Sequence, residues 1–84
     1  ALLRDRLTIS EVNWLGAGAA VPDEGIRVQV KLRSAQPPIW AHVRGLSGAR
    51  AEIALEEPQV GVAPGQACVI YDGDRVLGGG WIER

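Results

Sequence analysis

Nine Lys and Arg against ten Asp and Glu in 84 residues leave a formal charge of −1, so overall charge offers no footprint for nucleic acid. Any such affinity must come from local clustering. Hydrophobic residues at 46% and charged residues at 23% place the chain among folded globular domains rather than disordered ones, and its length allows one small domain with little room for a catalytic cleft. A lone cysteine, Cys68, excludes an internal disulfide and any multi-cysteine metal site, and suits a reducing cytoplasm. No stretch approaches the ~20 apolar residues of a membrane span, so no membrane partner is expected. The chain opens on Ala1 and contains no methionine, from which we expect that it continues a longer polypeptide.

Residues 7–15 (LTISEVNWL) carry enough β-branched and aromatic side chains for a strand, and the small residues and turn formers of Gly16 to Gly25 read as a connector. From Ile26 the alternation is clean, with Ile26, Val28, Val30 and Leu32 on one face and Arg27, Gln29, Lys31 and Arg33 on the other. Pro37 and Pro38 end that strand. A second alternating run from Ile39 to Leu46 turns Ile39, Ala41 and Val43 inward and Trp40, His42 and Arg44 outward.

A three-residue loop containing Gly48 leads to a third strand with Ala51, Ile53 and Leu55 inside, followed by a long connection from Glu56 to Gly65. Ala67 to Tyr71 is almost continuously apolar and reads as a strand covered on both faces. Asp72-Gly73 predicts a type I′ hairpin into a last strand, Arg75 to Glu83, which Gly78-Gly79-Gly80 interrupts at a bulge or barrel corner. No segment holds a 3.6-residue period. The expectation is an all-β chain, a small antiparallel barrel of about five to six strands.

Most candidate chemistry has a simpler structural explanation. Gly16-Ala17-Gly18 is followed by Val21-Pro22-Asp23 rather than by a helix that could cradle phosphate, and the later glycine triplet lacks a following Lys-Ser or Lys-Thr. Cys68 is expected inside the barrel and His42 outside it, which argues against a Cys-His nucleophile pair. Glu56, Glu57, Asp72 and Asp74 fall in turns. No catalytic, metal or cofactor-binding residue is expected in this chain.

One constellation stands out. Matching the inner faces of the first two clean strands sets Val30 opposite Val43 and Leu32 opposite Ala41. Their outer faces then pair Arg33 with Trp40, Lys31 with His42 and Gln29 with Arg44, and Glu52 of the next strand faces His42. Arg27, Lys31, Arg33, Trp40, His42 and Arg44 form a basic stripe with one aromatic ring, able to meet phosphates and stack on a base.

Read as phrases, Pro64-Gly65-Gln66-Ala67, Tyr71-Asp72-Gly73 and Val76-Leu77-Gly78-Gly79-Gly80-Trp81-Ile82 resemble the terminal signature of the tRNA-specific 2-thiouridylase family, also described as tRNA (5-methylaminomethyl-2-thiouridylate)-methyltransferases. Val12-Asn13-Trp14-Leu15, Val30-Lys31-Leu32-Arg33, Pro37-Pro38 and Glu57-Pro58-Gln59 resemble it in the same order. The resemblance covers nearly the whole chain. It implies a C-terminal barrel similar to the second domain of translation elongation factors over residues 21–84, with residues 1–20 the tail of a central domain plus connector.

It further implies a parent enzyme that activates C2 of the wobble uridine of tRNA with ATP and replaces that oxygen by sulfur from a persulfide donor protein. The ATP loop and the catalytic cysteines of that family lie in a domain upstream, and Cys68 matches neither cysteine. The expected partners are therefore tRNA, the other domains of the parent and the sulfur donor. The expected role is tRNA binding and positioning; the alternative is a purely structural barrel.

Overall fold

A computed structural model describes residues 3–16, 18, 20–32 and 36–83. Six strands run β1 Leu3–Trp14, β2 Ile26–Lys31, β3 Ile39–Leu46, β4 Arg50–Val60, β5 Ala67–Asp72 and β6 Arg75–Ile82. They close into one barrel in the order β1-β4-β3-β2-β5-β6, every neighbouring pair antiparallel. The all-β expectation holds, and among the described residues there is no helix long and apolar enough to cross a membrane.

Alternation builds the wall because successive side chains of a strand point to opposite sides. Leu7, Ile53, Val43 and Ile26 form one inward row across β1, β4, β3 and β2. Ile9, Ile53, Ile70, Val30 and Val43 are fully buried, and each is worth about 1.5–3 kcal/mol of transfer free energy. No polar residue is fully buried among the described residues; at the edge of the barrel Gln36 donates from its amide nitrogen to Gln59 Oε1 at 3.0 Å while its own Oε1 is enclosed without a partner.

β1 lies inside this architecture rather than before it. Its N-terminal half pairs with β4 and its C-terminal half with β6, so the strand closes the barrel, which therefore includes residues that precede position 21. Between the halves Glu11 adopts a φ of 51°, an extra residue enters β1, and the Val12 amide donates to the Ala49 carbonyl at 2.9 Å. This bulge bends one long strand around the corner of the barrel.

Three local expectations need correction. β5 is not covered on both faces: Cys68 and Ile70 point inward while Ala67 is exposed and Val69 and Tyr71 are half-exposed, as the wall of a single barrel requires. The connection expected from Glu56 is strand as far as Val60; the register against β1 breaks between Arg4–Gln59 and Arg6–Ala54, and Pro58, which has no N–H to give, sits in that break. The β5–β6 loop is Gly73-Asp74 between the paired Asp72 and Arg75, and only Gly73 has positive φ, at 61°, which is the type II′ pattern rather than type I′.

The glycine triplet does mark a tight corner. A Cβ at Gly78 would run into the Asn13 carbonyl oxygen, one at Gly79 would stand 2.5 Å from the Cys68 oxygen, and one at Gly80 would stand 2.6 Å from the Ser10 oxygen. The β5–β6 register shifts beside it, between Ile70 and Tyr71. Near the other end of β3 the connector lays buried Val21 against the core, and the Pro22 carbonyl accepts the Gly45 amide at 3.0 Å.

Candidate nucleic-acid interface

The outer surface of β2 and β3 carries five of the six residues expected to contact tRNA: Arg27, Lys31, Trp40, His42 and Arg44. The sixth, Arg33, lies outside the described residues. Their in-or-out assignment is as the alternation predicts, but their neighbours are not. Arg27 pairs with His42, Gln29 with Trp40 and Val30 with Ile39, so β2 is displaced four residues from the expected register. The Val30–Val43, Leu32–Ala41, Lys31–His42 and Gln29–Arg44 pairings are thus all replaced.

The cause is the turn. The β2–β3 ladder ends at Val30–Ile39, so the connection is wide and includes Pro37 and Pro38. Lys31 instead pairs with Val69 of β5, and Gln29 also pairs with Tyr71. On the other flank β4 stands two residues from expectation: Arg44 opposes Glu52, and His42 opposes Ala54.

The new neighbours change the electrostatics. The Arg27 guanidinium lies 3.9 Å above the Trp40 ring centroid and donates two hydrogen bonds to the Glu56 carboxylate, at 2.6 and 3.0 Å. The hydrogen bonding raises the Arg27 pKa and holds the Glu56 carboxyl below its usual range. Both side chains are about half exposed, so the pair contributes little to stability. Its consequence is placement: the fork geometry holds the cation over the indole ring. Arg44 donates to Glu52 at 3.1 Å.

Two of the stripe's three described cationic side chains are therefore paired with carboxylates. Lys31 has no carboxylate partner among the described residues, and its ammonium stands 5.9 Å from the Tyr71 ring centroid. The His42 ring packs on Gly25, where any Cβ would strike it. Trp40 remains 44% exposed. A surface results in which one indole, one phenol and one unpaired ammonium face solvent, flanked by compensated ion pairs.

Sequence reasoning missed Tyr71 and Glu56 as members of this face. Tyr71 arrives only through the β2–β5 pairing, and Glu56 belongs to a strand extension that Pro58 disguised as a loop. The Cys68 thiol lies inside the wall, where desolvation pushes its pKa up to about 12, while exposed His42 lies outside it, so the two cannot act as a pair. Among the described residues no group of three or more His, Cys, Asp or Glu could hold a metal ion.

A closed six-stranded antiparallel barrel with an aromatic and basic outer face defines a small β-barrel domain. The chain belongs to the aminomethyltransferase beta-barrel domain family, which it matches over residues 4–82. It is 57% identical over 84 residues to the tRNA-specific 2-thiouridylase MnmA of Rhodospirillum centenum, covering 100% of this chain and 21% of that protein. Against the protein of the same name from Paramagnetospirillum magneticum it is 53% identical over 76 residues, 90% of this chain and 19% of the relative. Against that of Rickettsia bellii it is 50% identical over 84 residues, 100% of this chain and 23% of the relative. The chain spans about a fifth of the length of these curated relatives.

Proposed function

We propose that this barrel is part of a tRNA 2-thiouridylase working in the cytoplasm, and that it helps position tRNA while the chemistry takes place elsewhere in the polypeptide. The observation that carries this reading is 57% identity sustained across the whole chain with a protein named for that activity. ATP-dependent activation of the wobble uridine and sulfur transfer from a persulfide donor protein are then tasks of the remaining polypeptide. The barrel supplies surface rather than reactive groups.

Contact with tRNA is assigned to the outer β2–β3 face, with Lys31 for phosphate, Trp40 for an unstacked base, and Arg27, His42 and Arg44 at the margin; Arg33, outside the described residues, is assigned to phosphate on the sequence alone. A second reading, a barrel that only stiffens its parent, is favoured by one specific observation. Glu56 and Glu52 already neutralise Arg27 and Arg44.

The salt dependence of tRNA binding by the full-length protein separates the two. Each phosphate contact adds about 0.7–0.9 to the slope of log affinity against log salt, so Lys31→Ala with Arg33→Ala lowers it by about 1–2. Trp40→Ala costs about 1–3 kcal/mol of binding if a base stacks there. Unchanged slope and affinity in both variants would reduce the barrel to its structural role.

A further inference from the structure

A shallow groove of about 320 Å³ runs along β6, floored by the backbone of Gly78, Gly79 and Gly80. In the closed ring β6 stands three strands from β3 in either direction, and the groove reaches the stripe only at its β5 edge, where Val69 pairs with Lys31. Leu15, Val76 and Trp81 form the apolar rim, exposed by 55%, 45% and 50%. The Leu15 amide donates to the Leu77 carbonyl at 2.7 Å and fixes that side chain beside β6.

The glycine floor follows from the fold, since neighbouring backbone oxygens exclude a Cβ at each of the three positions. The rim does not. Leu15, Val76 and Trp81 face outward, where a polar side chain would serve the barrel equally well, and contiguous exposed apolar groups of this kind mark protein contacts. The only charged residue among the described lining residues is Glu11, and the nearest cation of the stripe, Lys31, stands beyond the groove's β5 edge opposite Val69, so the groove itself offers apolar contact rather than a phosphate site.

We propose that this groove is the docking surface through which the barrel packs on the rest of its own polypeptide, an apolar protein segment held in cis. The inference rests on the reading that the chain is the barrel of a longer 2-thiouridylase. About four-fifths of the Rhodospirillum centenum relative lies outside the region matched by this chain. A tethered segment reaches millimolar effective concentration, enough to fill a shallow apolar groove that would not capture a free partner. With tRNA on β2 and β3, the barrel holds RNA on one surface and protein on another, and so fixes where the tRNA lies relative to the other domains.

Trp81 and Trp40 are almost equally exposed on the barrel itself, at 50% and 44%, which makes them matched reporters for hydroxyl-radical footprinting of the full-length protein. Without tRNA, Trp81 should oxidise about five-fold more slowly than Trp40, as occupancy of about 80% in cis requires. Its protection should be independent of protein concentration. In the Trp81→Ser, Val76→Ser variant, Leu15 should gain reactivity while Trp40 does not change.

Equal oxidation of the two tryptophans would overturn the proposal. So would protection of Trp81 that appears only with tRNA, which makes the groove an RNA surface, or that grows with protein concentration, which makes it an interface between copies. Failure of tRNA to protect Trp40 strikes the proposed function instead, so the two failures are read at different residues.

Discussion

Replacing Gly78 by alanine tests whether the glycine corner is what closes the barrel. Two separate costs meet at this residue. Its φ of +147° lies where L side chains are rarely found, at about 1–3 kcal/mol. The new Cβ also meets the Asn13 carbonyl, a backbone atom of the closing strand that cannot rotate away, and forced overpacking adds about 1–3 kcal/mol. The sum, about 2–6 kcal/mol, is a large share of the ~4–13 kcal/mol expected for a domain of this size.

Two companion variants separate the contributions. Gly65→Ala carries only the backbone cost, because φ is +88° and nothing lies within 4 Å of the added Cβ; about 1–2 kcal/mol is expected. Gly79→Ala carries only the contact with the Cys68 oxygen at 2.5 Å, about 1–3 kcal/mol. Urea and thermal unfolding followed by circular dichroism should rank Gly78→Ala as most damaging, with a Tm lowered by at least ~10 °C. A Gly78→Ala protein as stable as Gly65→Ala would refute the view that backbone contact between β6 and β1 requires glycine there.

Two further predictions concern titration. Cys68 has a folded pKa raised to about 12, so its contribution is intact below the ordinary thiol value of about 8.5 and is lost as pH climbs through the interval between them. Unfolding midpoints should therefore fall above pH ~8.5 in the native chain and less so in Cys68→Ala; parallel pH profiles would remove burial of the thiol as the cause. At the acid end, hydrogen bonding from Arg50 and Arg27 lowers the pKa values of Glu83 and Glu56. The stability these pairs provide is present above the ordinary glutamate value of about 4.3 and disappears as pH falls through the lowered folded values. Urea midpoints measured across that window should show a shallower acid slope in Glu83→Gln with Glu56→Gln than in the native chain, and added salt should reduce the difference.

Local chemistry made much of this fold legible. Val28, Val30, Ala41, Val43, Ala51, Ile53 and Leu55 are inside as their alternation requires, and Arg27, Trp40, His42 and Arg44 are outside. Gly48 and Gly73 turn the chain because each occupies positive φ at a hairpin. The pairs β3–β4 and β5–β6 follow from short connections between neighbouring strands, and β2–β3 from their succession along the chain. The same reading kept Cys68 and His42 apart.

Register and closure were settled only in three dimensions. A slide of four residues in β2 against β3, or of two in β4 against β3, keeps every side chain on its own face, so alternation is blind to both. Loop width and the fit of the whole ring decide between such registers, and they bring Arg27 over Trp40 and Glu56 beside Arg27. The β1–β4, β1–β6 and β2–β5 pairings join residues far apart along the chain, and no local pattern records which distant strand will lie alongside. Sequence therefore determined which surface of each strand meets water, because that depends on parity alone, whereas the tertiary structure decided which charges meet on that surface, because that depends on the closing of the barrel.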